Sequence, residues 1–389
     1  MTPRVHLLID ATCATDRLTG FERYTRELCR ALTPLCIQAG LRATLLLAKQ
    51  SSWLTEANSL PDSIKLKCSP SDSRLFTEQV WIPQLIYRLR PSACFFPGFP
   101  PSPLVLYSHA KIMRTVYDGV MWNRPETLSL KAKLYLKPLE TLGMAHYDVI
   151  HTISACSAKE IASVFPDAKD RIISSGIGTD VCRFQTALDD VQLKAVRQKY
   201  SLPERYLLTV GTIEPRKNLP FLLRVVARLK REMPSSRLVV AGRKGWGTET
   251  FMTTVKELDL ARHVQLLGTV DDADLPSLYR AAAIFVFPSL HEGFGLPVVE
   301  AMASATPVIA SNTTSIPEAA GEAAILLSPE DEAAWATAIK TLLDDAELAE
   351  RLRAAGRAQA AKFSWDRVAK RVFESALRLM DVCALKGTP

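Results

Sequence analysis

Short apolar runs alternate with longer amphipathic stretches from one end of this chain to the other, and that rhythm constrains its fold more than any other feature. Such runs are too short for helices and suit strands buried on both faces. Parallel strands of that kind need a crossover helix between neighbours. In the first half the pattern predicts strands at 4–9, 42–48, 92–96, 111–117 and 149–154, with helices near 20–39, 74–90, 128–145 and 155–164. In the second half it predicts strands at 205–211, 237–242, 264–268, 283–289, 306–311 and 324–327. Helices are expected there near 218–232, 249–260, 272–282, 295–304, 316–320, 331–343 and 345–361. Two such sets imply an α/β protein with two Rossmann-like, doubly wound domains, and 389 residues suit two at about 100–200 residues each. The polar stretch 183–200 is the expected joint, which gives domains at 1–185 and 186–365 and a last segment at 366–389.

Composition removes other classes. With 48% apolar and 23% charged residues the chain is neither disordered nor collagen-like nor a disulfide scaffold. No run approaches the roughly 20 apolar residues that cross a bilayer. The stretch 5–9 is too short for a secretory signal and is closed by Asp10, so a soluble cytoplasmic protein is expected. Eight cysteines without a C-x-x-C pair or zinc-ligand spacing point to reduced, buried thiols. A net charge of +7 is mild for this length and argues against nucleic acid as a partner. Between Trp81 and Lys137, however, eight basic residues (Arg88, Arg90, Lys111, Arg114, Arg124, Lys131, Lys133, Lys137) face two acids, Asp118 and Glu126, for a local +6. Aromatics (Trp81, Phe95, Phe96, Phe99, Tyr107, Tyr117, Trp122, Tyr135) are interleaved with them. This segment is either a surface for an anionic membrane or anionic acceptor, or a solvated face around an ordinary core.

Open parallel sheets bind ligands at the carboxyl ends of their strands, so motifs there carry the chemistry. The strongest is 289–311. A strand ends, an EGFG turn follows, and a helix opens near Leu296 with Pro297 in its first turn. Gly293 and Gly295 allow close backbone approach, with Phe294 between them, and free amides at the helix start suit an anion or a sugar oxygen. Glu292 and Glu300 frame those amides without a basic neighbour in sequence, which suits a polyhydroxylated ligand carrying phosphate. The second motif is 209–223, where a strand ends in Gly211 and Arg216 and Lys217 precede a helix near Asn218. A guanidinium fork and an ammonium beside a helix start match a diphosphate leaving group. The third is the loop and helix start 17–32, with Gly20, Arg23 and Tyr24 after the first strand.

In this order the TGFERYTREL loop, the Arg216–Lys217 loop and the Glu292-x7-Glu300 motif resemble a retaining GT-B glycosyltransferase of family 4. The stretch GFGLPVVEAMASATPVIASNTTSIPEAAGEAAILLSP is similar to the bacterial mannosyltransferase-like branch. The resemblance spans nearly the whole chain and is most specific over 205–330. It implies two domains facing a cleft, a nucleotide-sugar donor in the second and an acceptor in the first, with the helix from Ser364 onward crossing back to the first. It further implies that Arg216 and Lys217 bind the donor diphosphate, Glu300 the ribose hydroxyls and Glu292 the donor sugar. Gly293, Phe294, Gly295 and Leu296 would contact sugar or phosphate oxygens, and Gly20 and Gly211 would lie near the donor. Tyr117 stands where family members have the His of a His-Asp pair, while Asp118 remains; with Arg23 they are the acceptor-side candidates. The Gly20 loop carries one glycine where many relatives have two.

Asp272 and Asp274 form a D-x-D pattern just before a helix, where N-capping accounts for them without a metal. His291 adjoins Glu292 at the site's edge, and His109 is an acceptor-side candidate. The expected reaction is transfer of a hexose, GDP-mannose being the favoured donor, onto a hydroxyl of a saccharide or polyprenyl-diphosphate-linked glycan with retention. Arg216, Lys217, Glu292 and Asp118 are its catalytic candidates, with no metal and no cofactor beyond the co-substrate. A UDP-sugar transferase, a GT-B epimerase or phosphorylase, and a non-catalytic nucleotide-sugar-binding subunit are the alternatives.

Overall fold

The computed structural model describes residues 5–14, 20–49, 60–123, 125, 130, 132–186 and 190–380. Residues 17–19 of the first loop, Arg124, Glu126, Lys131 and Cys383 lie outside them. The chain forms two compact units, one running to Gly178 and resuming at Trp365, the other Thr179–Ser364. The division falls ahead of the expected joint because 183–200 is largely helical and belongs to the second unit. There Val181–Gln185 packs on Leu275–Ala281 and Leu296–Ala303, and Asp190–Lys199 packs on Leu275–Ala281.

In the first unit seven parallel strands, β1 (His6–Asp10), β2 (Arg42–Leu47), β3 (Ile64–Cys68), β4 (Ala93–Phe96), β5 (Lys111–Thr115), β6 (Val149–Thr152) and β7 (Ile172–Ser174), lie in the order β3-β2-β1-β4-β5-β6-β7. The central strands β1 and β4 are buried along their whole length. The strands β3 and β7 escape the sequence pattern because they are edges. In β3 Lys65 is exposed, and β7 is three residues long and half-buried.

Helix α1 (Gly20–Gln38) follows β1 and buries Tyr24, Leu28, Cys29, Leu32 and Cys36, a stripe at helical spacing. The stretches expected as single helices near 74–90 and 128–145 are compound. Each has a π-helical turn, Thr77–Trp81 and Ala132–Leu136, followed by an α-helix with a proline, Pro83 or Pro138, in its first turn. Proline lacks the N–H that would close an ordinary helical bond, so the ladder is broken where each stretch changes type.

The second unit holds six parallel strands, β8 (Leu207–Val210), β9 (Leu238–Ala241), β10 (Val264–Gly268), β11 (Ile284–Phe287), β12 (Val308–Ser311) and β13 (Ile325–Leu327), in the order β10-β9-β8-β11-β12-β13. Helix α2 (Leu219–Glu232) carries Leu219, Leu222, Leu223, Val226 and Leu229 on one buried stripe, and Phe221 meets Trp335 edge to face at 5.7 Å. A closing helix, α3 (Trp365–Leu379), turns Val368, Ala369, Val372 and Ala376 inward and lies along α1 in the first unit. The Trp365 ring meets Tyr24 edge to face at 5.5 Å. It also covers Gly178, where a Cβ would come within 2.5 Å of the indole.

The seven described cysteines are all free thiols. Arg114 of the basic segment is not a surface residue. Its guanidinium forks onto both Glu140 oxygens at 3.1 and 2.7 Å and donates to Phe96 O at 2.9 Å, while Tyr147 Oη donates to Glu140 Oε1 at 3.0 Å. Both charged side chains are 3% exposed. Removing one partner strands a buried charge, so Glu140→Ala should destabilise the first unit by about 3–5 kcal/mol, seen as a lowered denaturation midpoint.

Candidate functional site

Both sheets reverse their winding direction at one place, between β1 and β4 in the first unit and between β8 and β11 in the second. The backbone connections diverge there and leave a crevice at the carboxyl ends, where ligands of such sheets bind. In the second unit β8 ends at Val210, and Gly211 follows with φ +148°. A Cβ on Gly211 would lie 3.1 Å from Lys217 Cε, and one on Gly242 would strike Gly211 O at 1.9 Å. Bare backbone at Gly211 lets Lys217 lie across the strand end, and at Gly242 it lets the two strand ends approach each other. Arg216 and Lys217 sit on the short 3-10 turn Pro215–Lys217, and the left-handed Asn218 then redirects the chain into α2.

The structure brings Glu292, 75 residues away, onto both cations. Lys217 Nζ donates to Glu292 Oε1 at 2.6 Å and Arg216 Nη1 donates to Glu292 Oε2 at 2.6 Å. Arg216 Nε also pairs with Glu214. The absence of a basic neighbour in sequence therefore did not leave Glu292 unpaired. Lys217 and Glu292 are each 8% exposed, whereas the Arg216 side chain is 44% exposed. Lys217 also stands 4.7 Å above the Phe287 ring.

Burial and the Arg216 charge lower the Lys217 pKa, opposed by Glu292. Burial works against the Glu292 charge too, but Lys217 and Arg216 overcome it and hold the carboxyl below its usual value. The backbone around the pair is pinned. Leu290 N donates to Arg216 O at 2.8 Å, Glu292 N to Thr314 Oγ1 at 3.1 Å and Ser315 Oγ to Glu292 O at 2.7 Å. His291 is buried beside it and its carbonyl accepts from Arg216 Nη1 at 3.3 Å.

After Glu292 the chain passes Gly293 and enters α4 (Leu296–Ala303) through Gly295, whose φ of +100° an L side chain rarely adopts. No side chain caps this helix start, and Pro297 occupies its first turn. Phe294 turns inward against Phe363, ring centroids 5.1 Å apart, so only its backbone is placed to meet a ligand. Glu300 is 6% exposed and accepts a 2.9 Å hydrogen bond from the fully buried Tyr279 hydroxyl. Arg216, Lys217 and Glu292 thus form one cluster at the switch point, with Gly211 beside it, while Glu300 has a protein partner of its own.

In the first unit Tyr117 and Asp118 follow the carboxyl end of β5. The Tyr117 hydroxyl donates to Pro97 O at 2.7 Å, and its ring meets Phe21 and Tyr24 edge to face at 4.5 and 5.1 Å. Asp118 Oδ1 accepts from Val120 N at 3.1 Å and so caps the following turn. Arg23 lies in the first turn of α1, and Gly20 opens that helix, where a Cβ would meet none of the described residues within 4 Å.

The sequence reading passed over Asp10, at the carboxyl end of β1 beside the first switch point. It is 6% exposed, accepts from Thr12 N at 3.0 Å and Thr12 Oγ1 at 2.6 Å, and burial raises its pKa to about 6. Its position at a strand end was the available signal.

Several expectations change. The D-x-D acids make no side-chain cap: Asp272 pairs with Arg183 at 2.6 Å, and Asp274 with Lys199 at 2.6 Å and Tyr200 at 2.8 Å. His109 precedes β5, at the amino-terminal edge of the sheet, beside Tyr87 and Tyr107 in a surface hollow rather than near Tyr117. The basic face is smaller than its composition suggests, since Lys111 pairs with Asp148 at 2.9 Å and Phe95 and Phe96 are core. Among the described residues no group of three His, Cys, Asp or Glu could hold a metal ion.

Two such sheets make the GT-B fold, shared with solved glycosyltransferases. Anabaena HepE, solved in complex with UDP and glucose, superposes with a TM-score of 0.72 at 16% identity, over 95% of this chain and 99% of that one. Residues 194–359 match the family described as glycosyl transferases group 1. Over 258 residues the chain is 37% identical to the O-antigen chain mannosyltransferase B of Escherichia coli, covering 66% of this chain and 67% of that one. It is 34% identical over 238 residues to the serotype-specific mannosyltransferase WbdA of Escherichia coli, but covers only 29% of that longer protein. The chain belongs to the group 1 glycosyl transferases.

The buried carboxyl of Asp10 supplies a pH test of the first crevice. Between about pH 4 and 6 the folded protein holds a proton on Asp10 that the unfolded chain has lost, so stability falls as pH rises through that window. Asp10→Asn should flatten that slope and stabilise the protein at pH 7 by about 2 kcal/mol, read from melting curves across the range.

Proposed function

We propose that this enzyme transfers mannose, with GDP-mannose as donor, onto a hydroxyl of a growing glycan in cell-surface polysaccharide synthesis, retaining the anomeric configuration. The observation that carries the proposal is the Arg216–Lys217–Glu292 cluster at the second switch point, where Lys217 lies against Gly211. The mannosyltransferase names of the Escherichia coli relatives supply the sugar. Arg216 and Lys217 hold the diphosphate, and the start of α4 from Gly293 to Leu296 offers backbone amides to phosphate or sugar oxygens. Glu292 contacts the sugar and Glu300 the ribose. Arg23, Tyr117 and Asp118, with Gly20 beside them, belong to the acceptor side.

With Lys217 and Arg216 supplying positive charge, the departing diphosphate needs no divalent ion. In a front-face departure it assists removal of the acceptor proton, and catalysis rests on positioning and on stabilising charge that develops on the leaving group. A melting screen of GDP, UDP and ADP sugars fixes the base, since a ligand at about 100 times its Kd stabilises by about 2.7 kcal/mol. With the donor so identified, Lys217→Ala should lower turnover by about 10²–10³ while the protein stays folded, and EDTA should leave wild-type turnover unchanged. Near-full activity of Lys217→Ala would remove the leaving-group assignment.

The acceptor in this reading is a saccharide or a polyprenyl-diphosphate-linked glycan met at an anionic membrane surface. Arg88 and Arg90 are exposed and follow Tyr87 in the chain, and Tyr87 shares a surface hollow with Leu104 and Tyr107; these three are 79%, 68% and 71% exposed. Aromatic and aliphatic groups flanked by arginines suit an anionic headgroup layer. Sedimentation with phosphatidylglycerol vesicles should show binding at low salt that is lost at high salt; no binding at either would count against membrane contact.

A further inference from the structure

The cations that a donor diphosphate would need are already neutralised inside the protein. Glu292 takes Lys217 on one oxygen and Arg216 on the other, each at 2.6 Å, and Glu214 pairs with Arg216 Nε. Two positive charges face two negative ones. A doubly charged diphosphate entering this balanced and largely buried group would sit against the Glu292 carboxylate, and like charges so placed repel strongly where water is scarce. The diphosphate therefore takes Lys217 and Arg216 only as Glu292 lets go.

The backbone does not have to move for this. Thr314 and Ser315 hold Glu292 N and O, and Leu290 N is bonded to Arg216 O, so the release is a rotation of one side chain. Once released, a carboxylate only 8% exposed is costly until it finds new donors. In this reading the ribose hydroxyls of a nucleoside diphosphate go to Glu300, which leaves Glu292 no donor beside the phosphates. A nucleotide sugar carries hydroxyl groups next to them.

We propose that Glu292 is a displaceable internal counter-ion, which gives up Lys217 and Arg216 to the diphosphate and is compensated only when sugar hydroxyls arrive with it. The proposal rests on the donor site described above and adds a selection rule to it. The donor both evicts and satisfies Glu292, whereas the product nucleoside diphosphate evicts it and leaves it unpaired. Product departure is then favoured by the return of Glu292 to its two cations, and Glu292 positions and discriminates without forming a bond to the reacting carbon.

Calorimetric titration of the full chain with GDP and GDP-mannose, and with UDP and UDP-glucose alongside, tests this. In the wild type the sugar nucleotide should bind about tenfold tighter than its own nucleoside diphosphate. In Glu292→Gln and Glu292→Ala, with folding checked by circular dichroism, the nucleoside diphosphate should bind about tenfold tighter than in the wild type, and the preference for the sugar nucleotide should vanish. A side chain that merely held the loop in place would weaken both ligands together. Unchanged or weaker nucleoside diphosphate affinity in the folded variants overturns the counter-ion role while leaving the donor site intact. Should neither variant fold, equal wild-type affinities for the two ligands overturn it. If none of the four nucleotides binds the wild type, the donor-site reading fails and this inference with it.

Discussion

One carboxylate gripping two cations from another strand end organises the second unit. Arg216 and Lys217 come from the turn after β8 and Glu292 from the turn after β11, neighbours in the sheet although 75 residues separate Lys217 from Glu292. That adjacency exists because the winding reverses between these two strands, which leaves both carboxyl ends uncovered by a crossover. Gly211 then decides how closely the Lys217 side chain can lie over the strand end, and Gly242 how closely the neighbouring strand end approaches Gly211. Buried charges of this kind are stable only in company, so the pairing fixes the turn geometry as much as the turn presents the charges.

The first unit uses the same order of central strands for different chemistry. Among the described residues its strand ends bear a buried carboxyl, Asp10 on β1, and an aromatic group of Phe21, Tyr24 and Tyr117 that extends to Phe99. One sheet end thus gathers two cations and the other a buried carboxyl and aromatic rings, a difference that follows from side chains alone.

Much of this was legible in the chain. The continuous apolar runs gave the central strands, since a strand buried on both faces has no polar side to confuse the signal. Edge strands β3 and β7 were not legible, because a half-exposed edge looks like a loop with a few apolar residues. The compound π- and α-helical stretches read as single helices because the periods differ little over so few turns. Arg216, Lys217, Glu292 and Glu300 were all singled out by their positions after strand ends. Their partners were not, and the +6 segment misled because charge counts do not distinguish Arg114, paired inside the core, from Arg88 on the surface.

The sequence by itself determined the two α/β sets, the strand ends that bear the glycines and charges, and the family to which the chain belongs. These are local properties, set by apolar periodicity and by residue types within a few positions of each other. Only the tertiary structure decided that Glu292 closes onto Lys217 and Arg216, that Glu300 meets Tyr279, and that Asp10 is driven toward neutrality. Those outcomes depend on distance and on exclusion of water between segments far apart in the chain, and neither quantity exists until the sheets have formed.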